Sequence, residues 1–398
     1  MAGEQPGQST VAPKSTPSPP ENRFQSLRRP FSVITHNTVE FAIPKGFTDV
    51  EYVGGGKYGN VIKAFGYNGL ELAIKKMYNP FKDINIARRI YRELKLLQMM
   101  DHENIVRLID IYTPDPTFST FNNIYMVTEY AGNSLDAILN RQRQYARQLI
   151  NPDHTKFLIY QLLRALKYIH SANVIHRDLK PSNLAVLRSS DLTVLDFGMS
   201  RILSPEDIDR SEYVITRWYR SPEVIYWSTS TYDTKADVWS VGCILAELLQ
   251  GEPLFPGSGA VEQYRLIIDL CGSPDEELMG KIGNDSTDGM RRVVEYMGVK
   301  PRRDFRTHFS TFPSLAVDLL DKMLVLDADR RITVEEALQH PYLEDYQMPD
   351  DEPVADRPFQ FDDHASASIE EWRHILWKEI TQFRPRMLPP RDEDLQRS

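Results

Sequence analysis

The sequence predicts an α+β, bilobal fold in which a strand-rich small lobe precedes a helical large lobe. Three observations predict it. From about Phe47 apolar residues alternate as in strands, from Ile84 to Met100 they recur at helical spacing, and beyond Ser134 long helical patterns dominate. The clearest of those later helices run from Thr155 to Ser171 and from Ala236 to Gln250. At 398 residues, 41% hydrophobic and 26% charged, the chain can bury a large core and divide into two lobes.

The elements follow in order along the chain. Residues 1–33 are rich in Gly, Gln, Ser, Thr and Pro with almost no apolar periodicity, and read as a disordered tail. The folded domain is expected over 48–343, with the small lobe at 48–131 and the large lobe at 132–343. Residues 344–398 form an extension that turns acidic and Pro-rich after Tyr346, then amphipathic and aromatic from Ile369 to Phe383, a stretch expected to be a helix packed back on the body.

Composition narrows the function classes. A net charge of −9 disfavours direct binding to nucleic acid or an anionic membrane. The two cysteines, Cys243 and Cys271, lie 28 positions apart in apolar helical contexts and suggest neither a disulfide framework nor a zinc site. No apolar run approaches the ~18 residues of a membrane span, and no signal-peptide core is seen, so a soluble protein of a reducing compartment is expected.

The most informative stretch is Val174-Ile175-His176-Arg177-Asp178-Leu179-Lys180-Pro181-Ser182-Asn183, which sets a carboxylate, an ammonium and an amide at fixed offsets between apolar residues. Phosphoryl transfer to a hydroxyl needs such a set: Asp178 to orient and deprotonate the hydroxyl, and Asn183 to hold a metal ion. Asp196-Phe197-Gly198 begins thirteen residues past Asn183, after the apolar run Leu192 to Leu195, and supplies a second metal-binding carboxylate. Upstream, Gly54-Gly55-Gly56-Lys57-Tyr58-Gly59-Asn60-Val61 follows a strand-like run and would let backbone close over phosphates. Lys75, in Leu72-Ala73-Ile74-Lys75, lies 16 residues after Gly59, and Glu93 lies 18 residues further on within the helical pattern. A buried Lys needs an anion, which Glu93 can supply while Lys75 reaches the nucleotide phosphates.

Each residue alone has an ordinary reading. A single Lys or Glu on an amphipathic element is usually solvated surface, and a Gly cluster is usually a flexible turn. His176 reads as a packing residue, forming an apolar column with Phe197, Leu97 and Leu108. What lifts the set above coincidence is that the Gly loop, Lys75, Glu93, Asp178, Asn183 and Asp196 occur in the order the chemistry requires.

On these motifs the chain resembles eukaryotic protein kinases, and over roughly Thr38 to Phe383 the mitogen-activated protein kinases. Finer markers are Val214-Ile215-Thr216-Arg217-Trp218-Tyr219-Arg220-Ser221-Pro222-Glu223, Asp237-Val238-Trp239-Ser240, and the insert around Leu254-Phe255-Pro256-Gly257. Leu184-Ala185-Val186 and Asp350-Asp351-Glu352-Pro353-Val354-Ala355 look most like the stress-activated class, whose activation loop carries Thr-Gly-Tyr. Here the loop reads Ser211-Glu212-Tyr213.

The resemblance implies a Pro-directed Ser/Thr kinase that uses ATP and Mg²⁺. It adds Lys180 and Thr216 to the catalytic set, and places Gly54, Gly55, Gly56, Lys57, Tyr58, Gly59, Val61, Ala73, Lys75, Thr128, Glu129 and Ala131 around the nucleotide, with Thr128 as gatekeeper. Phosphorylation of Ser211 and Tyr213 would add about −3 to −4 charge. The implied partners are Arg89, Arg92, Arg177 and Arg201 for Ser211, and Arg217 and Arg220 for Tyr213, giving an order–disorder switch. Glu223 is expected to pair with Arg331 in the interior.

The resemblance further implies an upstream dual-specificity MAP kinase kinase, Ser-Pro and Thr-Pro protein substrates such as transcription factors and downstream kinases, phosphatases, and a monomer of cytoplasm and nucleus. Basic and apolar docking-motif peptides would lie against Asp350 and Asp351. Met348, Arg188 and Ser189 depart from the acidic residues of the class there, which predicts altered selectivity. Two alternatives remain at this point: a catalytically weak signalling scaffold, and a growth-signal type MAP kinase, the latter suggested by Glu212.

Overall fold

A computed structural model describes residues 29–56, 59–66, 69–203, 217–226, 233–281, 296–364 and 366–386. The small lobe is built on a five-stranded antiparallel sheet of order β3-β4-β5-β7-β6, comprising β3 (Thr48–Gly56), β4 (Gly59–Phe65), β5 (Glu71–Met77), β6 (Leu108–Tyr112) and β7 (Tyr125–Glu129). Strand alternation sorts its residues: Leu72, Ile74, Tyr125 and Val127 enter a small core with Ile62 and Phe41, while Ala73, Lys75, Met126 and Thr128 face the cleft between the lobes. Register sets Ala73 opposite Thr128 and Val61 opposite Lys75.

Helix α1 (Ile84–Met99) crosses this sheet, with Asp83 as N-cap accepting the Ile86 amide at 3.0 Å. The large lobe follows as α2 (Leu135–Tyr145), α3 (Pro152–Ser171), α4 (Pro222–Tyr226), α5 (Lys235–Gln250), α6 (Ala260–Cys271), α7 (Glu276–Lys281), α8 (Phe305–His308), α9 (Ser314–Met323) and α10 (Val334–Leu338). The short strand β8 (Asn133–Ser134) precedes α2, and β9 (Val174–Ile175), β10 (Leu184–Val186), β11 (Leu192–Val194) and β12 (Arg201–Ile202) lie between α3 and α4. Helices α3 and α5 form the centre: Leu158, Leu162, Leu166, Val238, Trp239 and Val241 are all buried. Among the described residues no helix is long and apolar enough to cross a membrane. Glu223 and Arg331 form the expected interior pair, bidentate at 2.7 and 3.0 Å.

The N-terminal end differs from the expected tail, while the C-terminal stretch forms the expected packed helix. The tail expected over residues 1–33 gives way to structure sooner, because Phe31–His36 forms β1 and pairs with β2 (Val39–Pro44). Phe31 stacks on Tyr112 at 5.4 Å, and Tyr112 donates its hydroxyl to the Ala42 carbonyl at 3.0 Å, so the hairpin covers the back of the sheet. Arg29 also pairs with the buried Asp110. The amphipathic stretch forms α11 (Ile369–Gln382), opened by a capping box between Ser368 and Glu371. Its Trp372 is fully buried against Tyr91 of α1, with ring centroids 5.3 Å apart.

Candidate active site

The cleft between the lobes has a volume of about 690 Å³, in the range of small-molecule sites. Gly54, Gly55, Gly56, Gly59, Val61, Ala73, Lys75, Thr128, Glu129 and Ala131 line it from above and behind, and Asp178, Lys180, Asn183 and Asp196 from below. Lys57 and Tyr58 lie outside the described residues. Close backbone packing explains two of the glycines. A Cβ at Gly59 would stand 2.2 Å from the Lys76 carbonyl oxygen, and one at Gly132, where φ is +94°, would stand 2.3 Å from that of Val186.

Lys75 donates to both oxygens of Glu93, at 2.9 and 3.0 Å, as the sequence order predicts. Burial alone would lower the Lys75 pKa, but Asp196 and Glu93 outweigh it and hold the ammonium well above its ordinary value. Asp196 sits in the left-handed region at φ +57° and accepts the Gly198 amide at 3.2 Å. Burial pushes its carboxyl up, while the charge of Lys75, the Gly198 amide and Lys180 pull it further down, so it stays below the usual carboxylate range.

The catalytic loop is compact. Lys180 donates to Asp178 at 2.6 Å, and the Asn183 amide donates to the Asp178 carbonyl at 2.8 Å and carboxylate at 3.1 Å. With its NH₂ used in this way, Asn183 keeps its side-chain oxygen as a ligand atom. The Asn183 and Asp196 oxygens are hard donors of the kind Mg²⁺ takes alongside substrate phosphates, so the residues present fit that ion. His176 is fully buried, with its ring edge-on to Phe197 at 5.0 Å and Nε2 3.0 Å from the Leu195 carbonyl. Leu97, Leu108 and Phe197 are buried in the same core, in keeping with a packing column.

One positioning group went unassigned at the sequence level. Asp237, in the first turn of α5, accepts the amides of His176 and Arg177 at 2.9 Å each and lies 2.9 Å from His170 Nε2. Burial pushes this carboxyl up, but the hydrogen bond from His170 and its charge outweigh it and keep the pKa low. An Asp opening an otherwise apolar helix was the available signal.

The arginines divide. Arg89 approaches Gly198, Arg177 donates to the Met199 carbonyl at 3.4 Å, and Arg201 stands opposite Ile175, so these three gather around residues 197–201. Arg92 also meets the C-terminal extension. Its Nε donates to Asp363 at 2.8 Å, and Arg88 reaches the same carboxylate at 3.3 Å, so its implied role toward the Ser211 phosphate would compete with this pair. Arg220 lies 3.9 Å from Asp178, and Arg217 is half-buried at the start of the same segment. Thr216, Ser211 and Tyr213 lie outside the described residues.

Behind the link between the lobes, sharing Val106, Glu129 and Ala131 with the cleft, a second cavity of about 490 Å³ is also lined by Glu103, Asp191, Asp351, Phe157, Tyr160 and Met348. Asp350 is exposed. Asp351 is also exposed, but its carboxylate is 2.9 Å from the buried Arg164, so it is partly neutralised from within.

A protein kinase domain family profile matches residues 47–343. The chain is 53% identical over 367 residues to mitogen-activated protein kinase pmk-3 of Caenorhabditis elegans, covering 90% of this chain and 77% of that protein. It is 44% identical over 359 residues to mitogen-activated protein kinase 14 of Xenopus laevis, covering 90% and 95%. With mitogen-activated protein kinase p38b of Drosophila melanogaster it shares 44% identity over 353 residues, covering 88% and 93%.

Proposed function

Because the chain belongs to the protein kinase family, and within it to the stress-activated mitogen-activated protein kinases, we propose that it phosphorylates Ser-Pro and Thr-Pro sites with ATP and Mg²⁺ after phosphorylation of its own Ser211 and Tyr213. The observation that carries the reading is the joint geometry of Lys75–Glu93 and Asp178–Lys180–Asn183 around one cleft. This arrangement favours an active enzyme over a scaffold. Its relatives set it apart from the growth-signal alternative.

In the reaction the substrate hydroxyl oxygen bonds to the γ-phosphorus of ATP as the bond to the β–γ bridging oxygen breaks, and ADP leaves with that electron pair. Asp178 orients the hydroxyl and takes its proton. Lys180, now on Asp178, is placed to meet charge on the transferred group, and Lys75 holds the remaining phosphates while Glu93 fixes its position. Mg²⁺, held by Asn183 and Asp196, would neutralise phosphate charge. The segment 217–220 would receive the Pro that follows the phosphoacceptor, a residue with no backbone N–H to leave unpaired.

The partners follow from the same reading. A dual-specificity MAP kinase kinase would phosphorylate the loop, phosphatases would reverse it, and Arg89, Arg177, Arg201, Arg217 and Arg220 would receive the phosphates. Basic and apolar docking peptides suit the cavity beside Asp351, whose lining combines Glu103, Glu129 and Asp191 with Phe157, Tyr160 and Met348. We place the protein in cytoplasm and nucleus as a monomer.

The test is phosphorylation of a Ser-Pro peptide by purified protein with Mg-ATP, before and after treatment with a constitutively active dual-specificity MAP kinase kinase. Strong activation, lost in Asp178→Ala and with phosphate mapped to Ser211 and Tyr213, is expected. Modification of both residues without activity would favour the scaffold.

A further inference from the structure

The pattern G-x-G-x-x-G asks for glycine at residues 54, 56 and 59, and this chain carries a further one at Gly55. A Cβ at Gly54 or Gly56 would meet nothing within 4 Å, so those two leave open space beside the cleft they line. Gly55 is different. A Cβ there would stand 1.9 Å from Asn60 Oδ1, 3.0 Å from Asn60 Cγ and 2.7 Å from the Tyr52 hydroxyl. The space a side chain would take at residue 55 is filled by the Asn60 amide, so this glycine answers to Asn60 and not to a nucleotide.

Strand geometry explains how the two side chains arrive there. Gly59 and Val61 line the cleft, so alternation turns Asn60 to the outer face of β4, where it is buried. Tyr52 reaches the same face through an irregularity in the ladder: Tyr52 stands opposite Ile62 but Gly54 stands opposite Val61, which makes Val53 an extra residue of β3. Without it, Tyr52 and Gly55, three residues apart, would point to opposite faces. With it, Tyr52 packs on the core that holds Ile62 and donates its hydroxyl to Asn60 Oδ1 at 2.9 Å. The bond fastens the hairpin one pair short of its last rung, Gly56 opposite Gly59.

We infer that Tyr52 and Asn60 are positioning residues for the nucleotide phosphates: their hydrogen bond staples the outer face of the glycine-rich hairpin and presets the backbone that closes over the cleft. Glycine backbone has the most conformational freedom to lose when it is ordered, and a bond already made in the free protein removes part of that loss from the binding step. The inference rests on the nucleotide reading of the cleft and adds two residues that act through the loop backbone. A merely architectural role for the pair would loosen the small lobe and weaken the hold on adenine and phosphates alike. A positioning role acts on the phosphates.

The experiment measures binding of Mg-ADP and of adenosine, which carries no phosphate, by titration calorimetry. The parent protein is compared with Tyr52→Phe, Asn60→Ala, the double variant and Gly55→Ala. Tyr52→Phe and Asn60→Ala are each expected to raise Kd for Mg-ADP about fivefold while Kd for adenosine stays within about twofold. The double variant should be no worse than either single. Gly55→Ala, whose methyl displaces the Asn60 amide, should weaken Mg-ADP to a similar degree in the parent and add little in the Asn60→Ala background. Hydrogen exchange in the free protein should quicken across β3 and β4 in the same variants. An unchanged Mg-ADP Kd in Tyr52→Phe, which loses one oxygen and keeps its ring, would overturn the inference, as would Mg-ADP and adenosine weakening together. A parent protein that binds neither ligand would remove the nucleotide reading itself, and the inference with it.

Discussion

The catalytic loop and the C-terminal extension both fasten charged side chains, but over very different lengths of chain. Asp178 finds its partners two and five residues away, in Lys180 and Asn183. Arg92 finds Asp363 at a separation of 271 residues. The first arrangement is fixed by one short loop and survives wherever that loop is held. The second exists only once α11 has docked on α1, so it reports on how the extension supports the small lobe.

The largest effect expected from breaking the local arrangement is on chemistry. Asp178→Ala should lower kcat by about 10³-fold, because the hydroxyl loses both orientation and its proton acceptor. Single-turnover assays with saturating ATP and peptide would measure it. A loss below tenfold would mean that another group takes the proton.

Next in size is the interior pair between Glu223 and Arg331, with side chains 4% and 0% exposed. Arg331→Met leaves the Glu223 carboxylate buried without its partner and should cost about 3–5 kcal/mol of stability. Urea denaturation would show it. Unlike the change at Asp178, this one should leave any residual folded enzyme with its cleft intact.

What could be read in the sequence follows the same division. Helix α1 and the Lys75–Glu93 pair were legible because periodicity and spacing act within a window of tens of residues. The hairpin β1–β2 was missed although Asn37 and Thr38, at φ +45° and +66°, form its turn. The Pro- and Ser-rich run before it masked a strand whose Val33 remains 66% exposed. Arg92 and Asp351 carried the right chemistry, yet their partners Asp363 and Arg164 are set by packing between distant elements. No local pattern in the sequence encodes those choices.

A third prediction tests the join between the lobes. His102 is buried, its Nδ1 accepts the Asn104 amide at 3.0 Å, and its ring lies 5.2 Å from that of Tyr168. Burial first, and then the charge of Arg164, push its pKa down to about 4. The unfolded chain binds this proton more readily, so the contribution is fully present above about pH 6.5 and is lost as pH falls toward 4. At pH 5 the loss relative to pH 7.5 should be about 2 kcal/mol. Denaturation curves for the parent and His102→Gln at both pH values would test this, with the variant expected to show a shallower dependence.

The smallest effect is expected at Arg92, where the extension meets α1. If its work is to hold the extension, Asp363→Asn and Arg92→Gln should each destabilise α1 by about 1–2 kcal/mol, and the double variant should add little to either. Hydrogen exchange across residues 84–99 would resolve the change. The sequence-based assignment of Arg92 to the Ser211 phosphate makes a different forecast: Arg92→Gln would then weaken the phosphorylated enzyme far more than the unphosphorylated one, while Asp363→Asn would not. The geometry favours equal effects in both states, since the guanidinium already faces Asp363 from a buried position, with its Nε at 2.8 Å. A phosphorylation-dependent difference confined to Arg92→Gln would show that activation draws this side chain away from the extension, and would return Arg92 to the group formed by Arg89, Arg177 and Arg201.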